Sequence, residues 1–482
     1  MKILANFLFS FYLLNFVLNH ATNHTPNVAC NFMKTITLLY LFIIITILSS
    51  CSADKKVIWI QQAGDINSKA NGFSITSDNL GNVYTTGNFS GKLSFSGIQT
   101  IESEDDDDCF ISKYDKNGKF QWVKTISGNS DESGNSITVD NNQDIIVVGN
   151  FYEEIKIDQT KIKAKGNADV FIAKYNRLGV LIWFKVLGSY RMDDAHEVKV
   201  DSSNNIYLVG RLSDTIKVDN VILKSHGGID GFIMKFTPEG RIIFGKTIGG
   251  NEDDDIDDIS LDNNKIYISG VVSDSVFYDS RLILSTGYLT QYFAKINNKG
   301  NLSWIKTYGE DSNHEIWDMN VDRLGSIYLT GYQRGEISIN NIKYPTISNK
   351  DYSIYLVKFT EKGNMEWFRN FSTNGNGYGH SIGIDEKDNI FLSGTFYKGI
   401  QINRKKYKTK GGSGNVLLKF NQKGKIIDKH ILSNNGSVDL WEINVSKFDN
   451  NIIGVGRFTG RLNNEIKTGD KKDVLVIKIK NE

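Results

Sequence analysis

One position, recurring along the chain, holds the side chains whose types could do chemistry. Five residues before a repeated aspartate position stand Phe73, Asn135, His196, Asp257, Trp317, His380 and Trp441. Their C-terminal neighbours are Ser74, Ser136, Glu197, Asp258, Asp318, Ser381 and Glu442. Aromatic platforms beside carboxylates suit recognition of a sugar or a peptide. His196, with Asp193, Asp194 and Glu197 close in sequence, has the types for general acid–base work. The plain alternative is that Trp317 and Trp441 pack between elements and the charges are solvated. Two acidic runs, Glu104–Asp108 and Asn251–Asp258, offer oxygen ligands for calcium, but neither has the glycine-hinged spacing of an EF-hand loop. They read first as solvated loops, with calcium the one metal to test. The chain has no G-x-S-x-G, HExxH or CxxC. No residue is therefore assigned as catalytic.

The elements that must position these side chains are repeated about every 61 residues. The clearest marks are WIQQAG from Trp59, WVKTISG from Trp122, WFKVLG from Trp183, FGKTIGG from Phe244, WIKTYG from Trp304, WFRNFS from Trp367 and DKHILS from Asp428. Between them the order is constant. A short strand ends in a Val-Asp-like pair (Asp140, Asp201, Asp262, Asp322, Asp385) whose aspartate is expected to cap the next turn. A β-branched and aromatic strand follows and ends in glycine (Gly149, Gly210, Gly270, Gly331, Gly394, Gly456), expected at turns needing positive φ. After a variable stretch comes an FIAKY-like strand with a lysine (Lys113, Lys174, Lys235, Lys295, Lys358, Lys419, Lys478), read as a register or surface feature. Period-two alternation, four strands per repeat and seven repeats predict an all-β, seven-bladed β-propeller over residues 57–482.

The phase of the repeat predicts how the ring closes. The first strand, residues 57–63, is of the outermost type and has no inner strands before it. The last repeat has three strands and no outermost one. The N-terminal strand is therefore expected to pair as the outer strand of the last blade, removing the open ends of the ring.

The ordered set W-x-K-x-x-G, V-D-x-x-x-N, [IV]-Y-[LV]-[TS]-G and D-x-F-I-x-K-[YF]-x-x-x-G resembles the SBBP-type β-propeller repeats of secreted and lipid-anchored bacterial proteins, over residues 57–482. Phe244, Asp428 and Ser446 depart from the pattern. The resemblance implies the shape and little chemistry.

The N-terminal region predicts an address. Met33 and Lys34, an apolar run from Ile36 to Leu48 and then LSSC, Leu48 to Cys51, resemble a lipoprotein signal peptide over residues 33–50 with lipidation of Cys51. The alternative is a transmembrane anchor. Ser52 after the cysteine, by resemblance to other lipoproteins, favours the outer membrane, and residues 51–56 form a short tether. Residues 1–32 read as an over-called extension, with translation starting at Met33, or as an extra membrane segment. Lys2 and Lys34 are the only charged side chains among the first fifty residues, and the rest of the chain is within one charge of balance, which argues against a general nucleic-acid binder. The expected molecule is a monomeric, lipid-anchored envelope propeller. It would bind or assemble an envelope protein or glycan without catalysis. A polysaccharide lyase or hydrolase at the channel mouth and a purely structural envelope protein are the alternatives.

Overall fold

The computed structural model describes residues 56–64, 69–262, 265–273, 275–278, 281–284, 290–308, 313–339, 342–345, 350–433, 436–462, 466–467 and 472–481. The lipobox and everything before it lie outside the described residues. Val57–Glu482 form one compact unit.

Within that unit the described residues form seven four-stranded antiparallel units, each running from an inner strand outward in chain order. The inner strands are Lys69–Ser77, Glu132–Val139, Asp194–Val200, Asp258–Asp262, Asn313–Val321, Gly377–Ile384 and Val438–Val445, numbered here as blades one to seven. Each inner strand touches the next, and the seventh touches the first. Blade seven is composite. Its strands Val438–Val445, Ile452–Phe458 and Asp473–Ile479 are completed by Val57–Ala63, with Trp59 opposite Lys478 and Ala63 opposite Val474. The chain's first and last described strands are thus joined by a backbone ladder.

The repeated positions keep the same register in every blade, with isoleucine (Ile146, Ile453) in place of the second-strand aromatic in blades two and seven. The third-strand lysine lies between the second-strand aromatic and the outer-strand tryptophan: Tyr84, Lys113 and Trp122 in blade one, Tyr328, Lys358 and Trp367 in blade five. Lys113, Lys235, Lys295 and Lys358 sit 4.6–5.6 Å from the tyrosine ring centroids, a cation–π contact. Phe244 and Asp428 keep this register, opposite Lys235 and Lys419. The tryptophan then caps the next blade. Trp59, Trp183 and Trp367 donate their indole N–H to the carbonyls of Lys116, Pro238 and Gln422. Beneath Trp59, Trp183 and Trp367 lie Gly118, Gly240 and Gly424 of that next turn, all at positive φ, where a side chain would also strike the indole.

The aspartates of the Val-Asp pairs cap turns. Asp322 Oδ1 accepts from Leu324 N and Ser326 N, and its Oδ2 accepts from the Tyr328 hydroxyl; Asp78 repeats this with Leu80, Asn82 and Tyr84. The glycines ending the second strands are a correction. Gly149, Gly210, Gly270, Gly331, Gly394 and Gly456 do not have positive φ. A Cβ on these, or on Gly87 of blade one, would lie only 1.7–2.9 Å from an inner-strand carbonyl oxygen. They are required by close backbone approach, which is what a glycine inside a strand signals.

The variable stretches between second and third strands carry hairpins that pattern reading did not resolve. Their strands reach back to the preceding blade: Phe95 pairs with Ala63, Lys156 with Ser127 and Tyr278 with Ile248. Blades are therefore tied by backbone bonds at the rim as well as by packing.

Trp59 is 9% exposed and joins the core shared by blades one and seven, so Trp59→Ala is expected to cost about 3–5 kcal/mol. Trp317→Ala, on a residue 38% exposed that loses one stacked and one edge-on ring contact, is expected to cost less, about 1–2 kcal/mol. Urea unfolding followed by tryptophan fluorescence compares the two; equal midpoints would refute the closing role of Trp59.

Candidate functional site

The repeated candidate position is a β-bulge. Pairing between inner and second strands skips one residue at Phe73, Asn135, His196, Trp317, His380 and Trp441. In blade four the inner strand starts at Asp258, with Asp257 N and Asp255 N donating to Ser269 O and Val271 O. The glycine of the second strand faces the carbonyl two residues before each of these positions, and that is what makes room for the bulge. Each bulge turns two consecutive side chains inward: the first toward neighbours at the mouth, the second into the channel wall.

The second residues link the blades. Ser74 Oγ accepts from Ile137 N at 3.1 Å, Ser136 Oγ from Val198 N at 3.2 Å, Asp258 Oδ2 from Met319 N at 2.5 Å, Asp318 from Ile382 N, Ser381 Oγ from Ile443 N at 3.2 Å and Glu442 Oε2 from Ile75 N at 2.7 Å. The last of these joins blade seven to blade one. Between blades three and four the pattern breaks: Ile259 N bonds Asp258 Oδ1, and Glu197 pairs with Lys199 instead.

Four carboxylates therefore share the channel wall with Lys199. Lys199, Asp318, Asn320, Ser381, Glu442 and Asn444 line a cavity of about 370 Å³. Burial raises the acids against the partial relief that Lys199 gives. Glu442 is pushed up to about 8 and Asp318 to about 6, while Glu197 and Asp258 rise for the same first reason. The Asp318 charge raises Asp258 further, so the two titrate as neighbours across the blade boundary. Burial alone would lower Lys199, but Glu197, Glu442 and Asp258 together hold it above the ordinary lysine range.

The first residues of the bulges do not form one uniform ring. Phe73 stacks on Trp441 at 5.2 Å, and Arg457 lies 4.5 Å over the Trp441 ring, so that tryptophan is sandwiched. Asn135 donates to Ala195 O. Trp317 stacks on Tyr378 at 5.3 Å with 8° between the ring planes. Tyr332 meets Trp317 edge-on at 5.4 Å, and His380 lies at 5.0 Å. Tyr352 and Tyr397 extend this cluster from Tyr332 and Tyr378, and Arg334 covers Tyr352. Glu315 accepts from the Trp317 indole at 2.8 Å. Burial pushes the His380 imidazole down to about 4, so it is neutral near pH 7 and bonds the Thr395 hydroxyl.

His196 departs from the expected partners. Asp193 accepts from Ser189 and Ser213, Asp194 from Arg211 and Asn150, and Glu197 from Lys199. The acids beside His196 come from blade four: Asp255 Oδ1 at 3.4 Å and Asp257 Oδ1 at 3.8 Å from its Nδ1. Of the second acidic run, Asp255 and Asp257 thus reach the mouth and Asp258 the channel. Glu104, Asp107 and Asp108 of the first run are taken up by Lys156, Asn88 and the Glu104 backbone. Pattern reading held Asp255 only as part of the Asn251–Asp258 run, without its partner His196, and missed Lys199, Tyr332, Tyr352 and Tyr378. The in-strand glycines carried a usable signal, because each marks a bulge and so identifies which neighbours turn inward.

The sign of the channel charge is testable. A carboxyl raised on folding contributes stability at low pH that is lost as pH climbs from its ordinary value to its folded one, up to about 6 for Asp318 and about 8 for Glu442. Lys199 offsets that loss. Lys199→Met is expected to be nearly neutral at pH 5 and to destabilise at pH 8. Because the Lys199 side chain is 36% exposed, the cost should lie between the ~1 kcal/mol of a surface pair and the ~3–5 kcal/mol of a buried one. Thermal midpoints of both proteins from pH 5 to 9 measure it, and a pH-independent difference would exclude the account.

Residues 58–88 match the SBBP family model, described as a β-propeller repeat. The chain is 23% identical over 442 residues to an uncharacterised WD repeat-containing protein of Acanthamoeba polyphaga mimivirus, covering 72% of this chain and 31% of that protein. It is 22% identical over 279 residues to the regulatory protein FlaEY of Caulobacter vibrioides, covering 52% and 29%. The chain thus spans less than a third of the length of these curated relatives. A solved structure of catalytically inactive virginiamycin B lyase from Staphylococcus aureus with quinupristin is 11% identical at a TM-score of 0.44, covering 86% of this chain and 98% of that one. The SBBP match lies across the closing strand and the first blade, so that stretch is similar to an SBBP repeat and the strands of the chain are arranged as a β-propeller.

Proposed function

We propose that this protein is a monomeric, lipid-anchored binding module of the cell envelope that engages a glycan at the bulge-bearing mouth. The carrying observation is the aromatic cluster of blades five and six: Trp317, 38% exposed, stacked on Tyr378, flanked by Tyr332 and His380, with Glu315 on its indole nitrogen. Sugar rings present C–H faces to aromatic planes and hydroxyls to carboxylates, and this cluster offers both. Trp441 is less available, being held between Phe73 and Arg457. A protein partner on the same face is the second reading, since an exposed tryptophan amid tyrosines is also the composition of an interface hot spot.

The envelope address rests on the run from Met33 through LSSC to Cys51. Lipidation there would give diacyl anchoring, which holds a protein on a membrane where one chain does not. Ser52 after the cysteine, by resemblance to other lipoproteins, favours the outer membrane.

In binding isotherms against fractionated envelope polysaccharide, Trp317→Ala is expected to lower affinity about 30-fold, the scale of a tryptophan hot spot. Unchanged affinity would count against the glycan site, a stoichiometric cross-linked protein lost in the variant would favour the protein reading, and shortened or unsaturated polysaccharide would point to a lyase or hydrolase. Labelled palmitate fed to cells should enter the wild-type chain and be absent from Cys51→Ser. Equal labelling would remove the lipid anchor from the proposal.

A further inference from the structure

The boundary of blades three and four holds a group of ligand atoms apart from the aromatic cluster. His196, Asp255 and Asp257 each contribute one, all within 4.8 Å of one another. The backbone adds another: Ile256 O accepts a hydrogen bond from His196 Nδ1–H at 3.1 Å, and a metal ion on Nδ1 would take the place of that proton. We propose that His196, Asp255 and Asp257, with the Ile256 carbonyl, form a binding site for a divalent transition-metal ion of the Zn²⁺ or Mn²⁺ type.

Geometry carries the proposal. Donor atoms about 2.1 Å from a common ion, at tetrahedral angles, lie ~3.4 Å apart. The separations from His196 Nδ1 are 3.1 Å to Ile256 O, 3.4 Å to Asp255 Oδ1 and 3.8 Å to Asp257 Oδ1. Small side-chain rotations therefore bring three side-chain ligands onto one ion, with the carbonyl at hand. Asp255 supplies an independent sign. It is 8% exposed, yet its Oδ1 is buried with no hydrogen-bond partner and faces the His196 ring. An unpaired buried carboxylate oxygen is costly to leave unmade and is met most directly by a cation.

The surroundings support the ligands. Asp255 N and Asp257 N are fixed to the second strand by bonds to Val271 O and Ser269 O, each at 2.9 Å. The Tyr292 hydroxyl donates to Asp255 O. Arg211 approaches Asp255 Oδ2 at 3.6 Å but is claimed more closely by Asp194 at 2.6 Å. Its charge partly offsets the Asp255 carboxylate at Oδ2 and leaves Oδ1 toward His196. Glu315 of blade five and Asp258 also raise Asp257, so the local balance is acidic. The imidazole selects a borderline ion over Ca²⁺ or Mg²⁺, which favour all-oxygen sets. Asp257, with its side chain 35% exposed, leaves one flank open to solvent, where a coordination position could take an exogenous ligand.

Calorimetric titration of the full chain with ZnCl₂, after dialysis against EDTA, tests the site. One equivalent is expected to bind. Asp257→Asn and His196→Gln are expected to weaken binding at least tenfold, and Glu252→Gln, on an exposed neighbour in the same run, to leave it unchanged. Thermal midpoints of the two site variants close to wild type would confirm that loss of binding is not loss of fold, and Asp255→Asn serves as the reserve variant. No uptake by the wild type, or undiminished uptake in both site variants, would overturn the assignment.

Discussion

A steric constraint repeated in each blade governs the site. The second strand places a glycine against an inner-strand carbonyl, at distances no side chain would tolerate. That closeness accommodates an extra inner-strand residue, so six inner strands bulge at the equivalent place and the seventh starts there. A bulge re-aims two side chains at once. One row then becomes the mouth and the next becomes the hydrogen-bonded wall of the channel. Without the glycine the strand would run straight, and the side chains that follow would exchange faces.

The ring depends on agreement between inside and outside. At the axis, Glu442 of blade seven accepts from Ile75 of blade one. At the rim, the N-terminal strand completes blade seven and its Trp59 covers Gly118 of blade one. The same two contacts join other neighbouring blades, so the closing boundary is built like an internal one. A repeat array whose terminal contacts equal its internal ones has no exposed end to protect.

The interior polarity has a cost that the fold distributes. Serine at three of the wall positions links blades without charge, but Glu197, Asp258, Asp318 and Glu442 bring four acids to one Lys199. Carboxyls raised by burial and one cation keep this compatible with a folded channel. The mouth above divides its labour: blades five and six present aromatic surface, and blades three and four present imidazole and carboxylate. Such asymmetry, laid on a symmetric scaffold, is where specificity resides in a repeat fold.

Strand type, repeat number and closure were legible in the sequence because each is a local or periodic property. Alternation reports a half-buried strand, Asp322 and its fellows report capped turns, and the unmatched strand at Trp59 reports the partner it lacks. The variable hairpins were not legible, since their pairing to the preceding blade involves no recurring residue type. Residues 73, 135, 196, 257, 317, 380 and 441 could be aligned from sequence, but their partners could not. His196 meets Asp255 and Asp257 rather than the acids beside it in the chain, and Trp317 remains open while Trp441 is covered by Arg457. A bulge reverses the facing of neighbours one residue apart, and blade-to-blade contacts join residues some sixty positions apart. The sequence by itself determined the ring; only the tertiary structure decided which side chains meet across its seams.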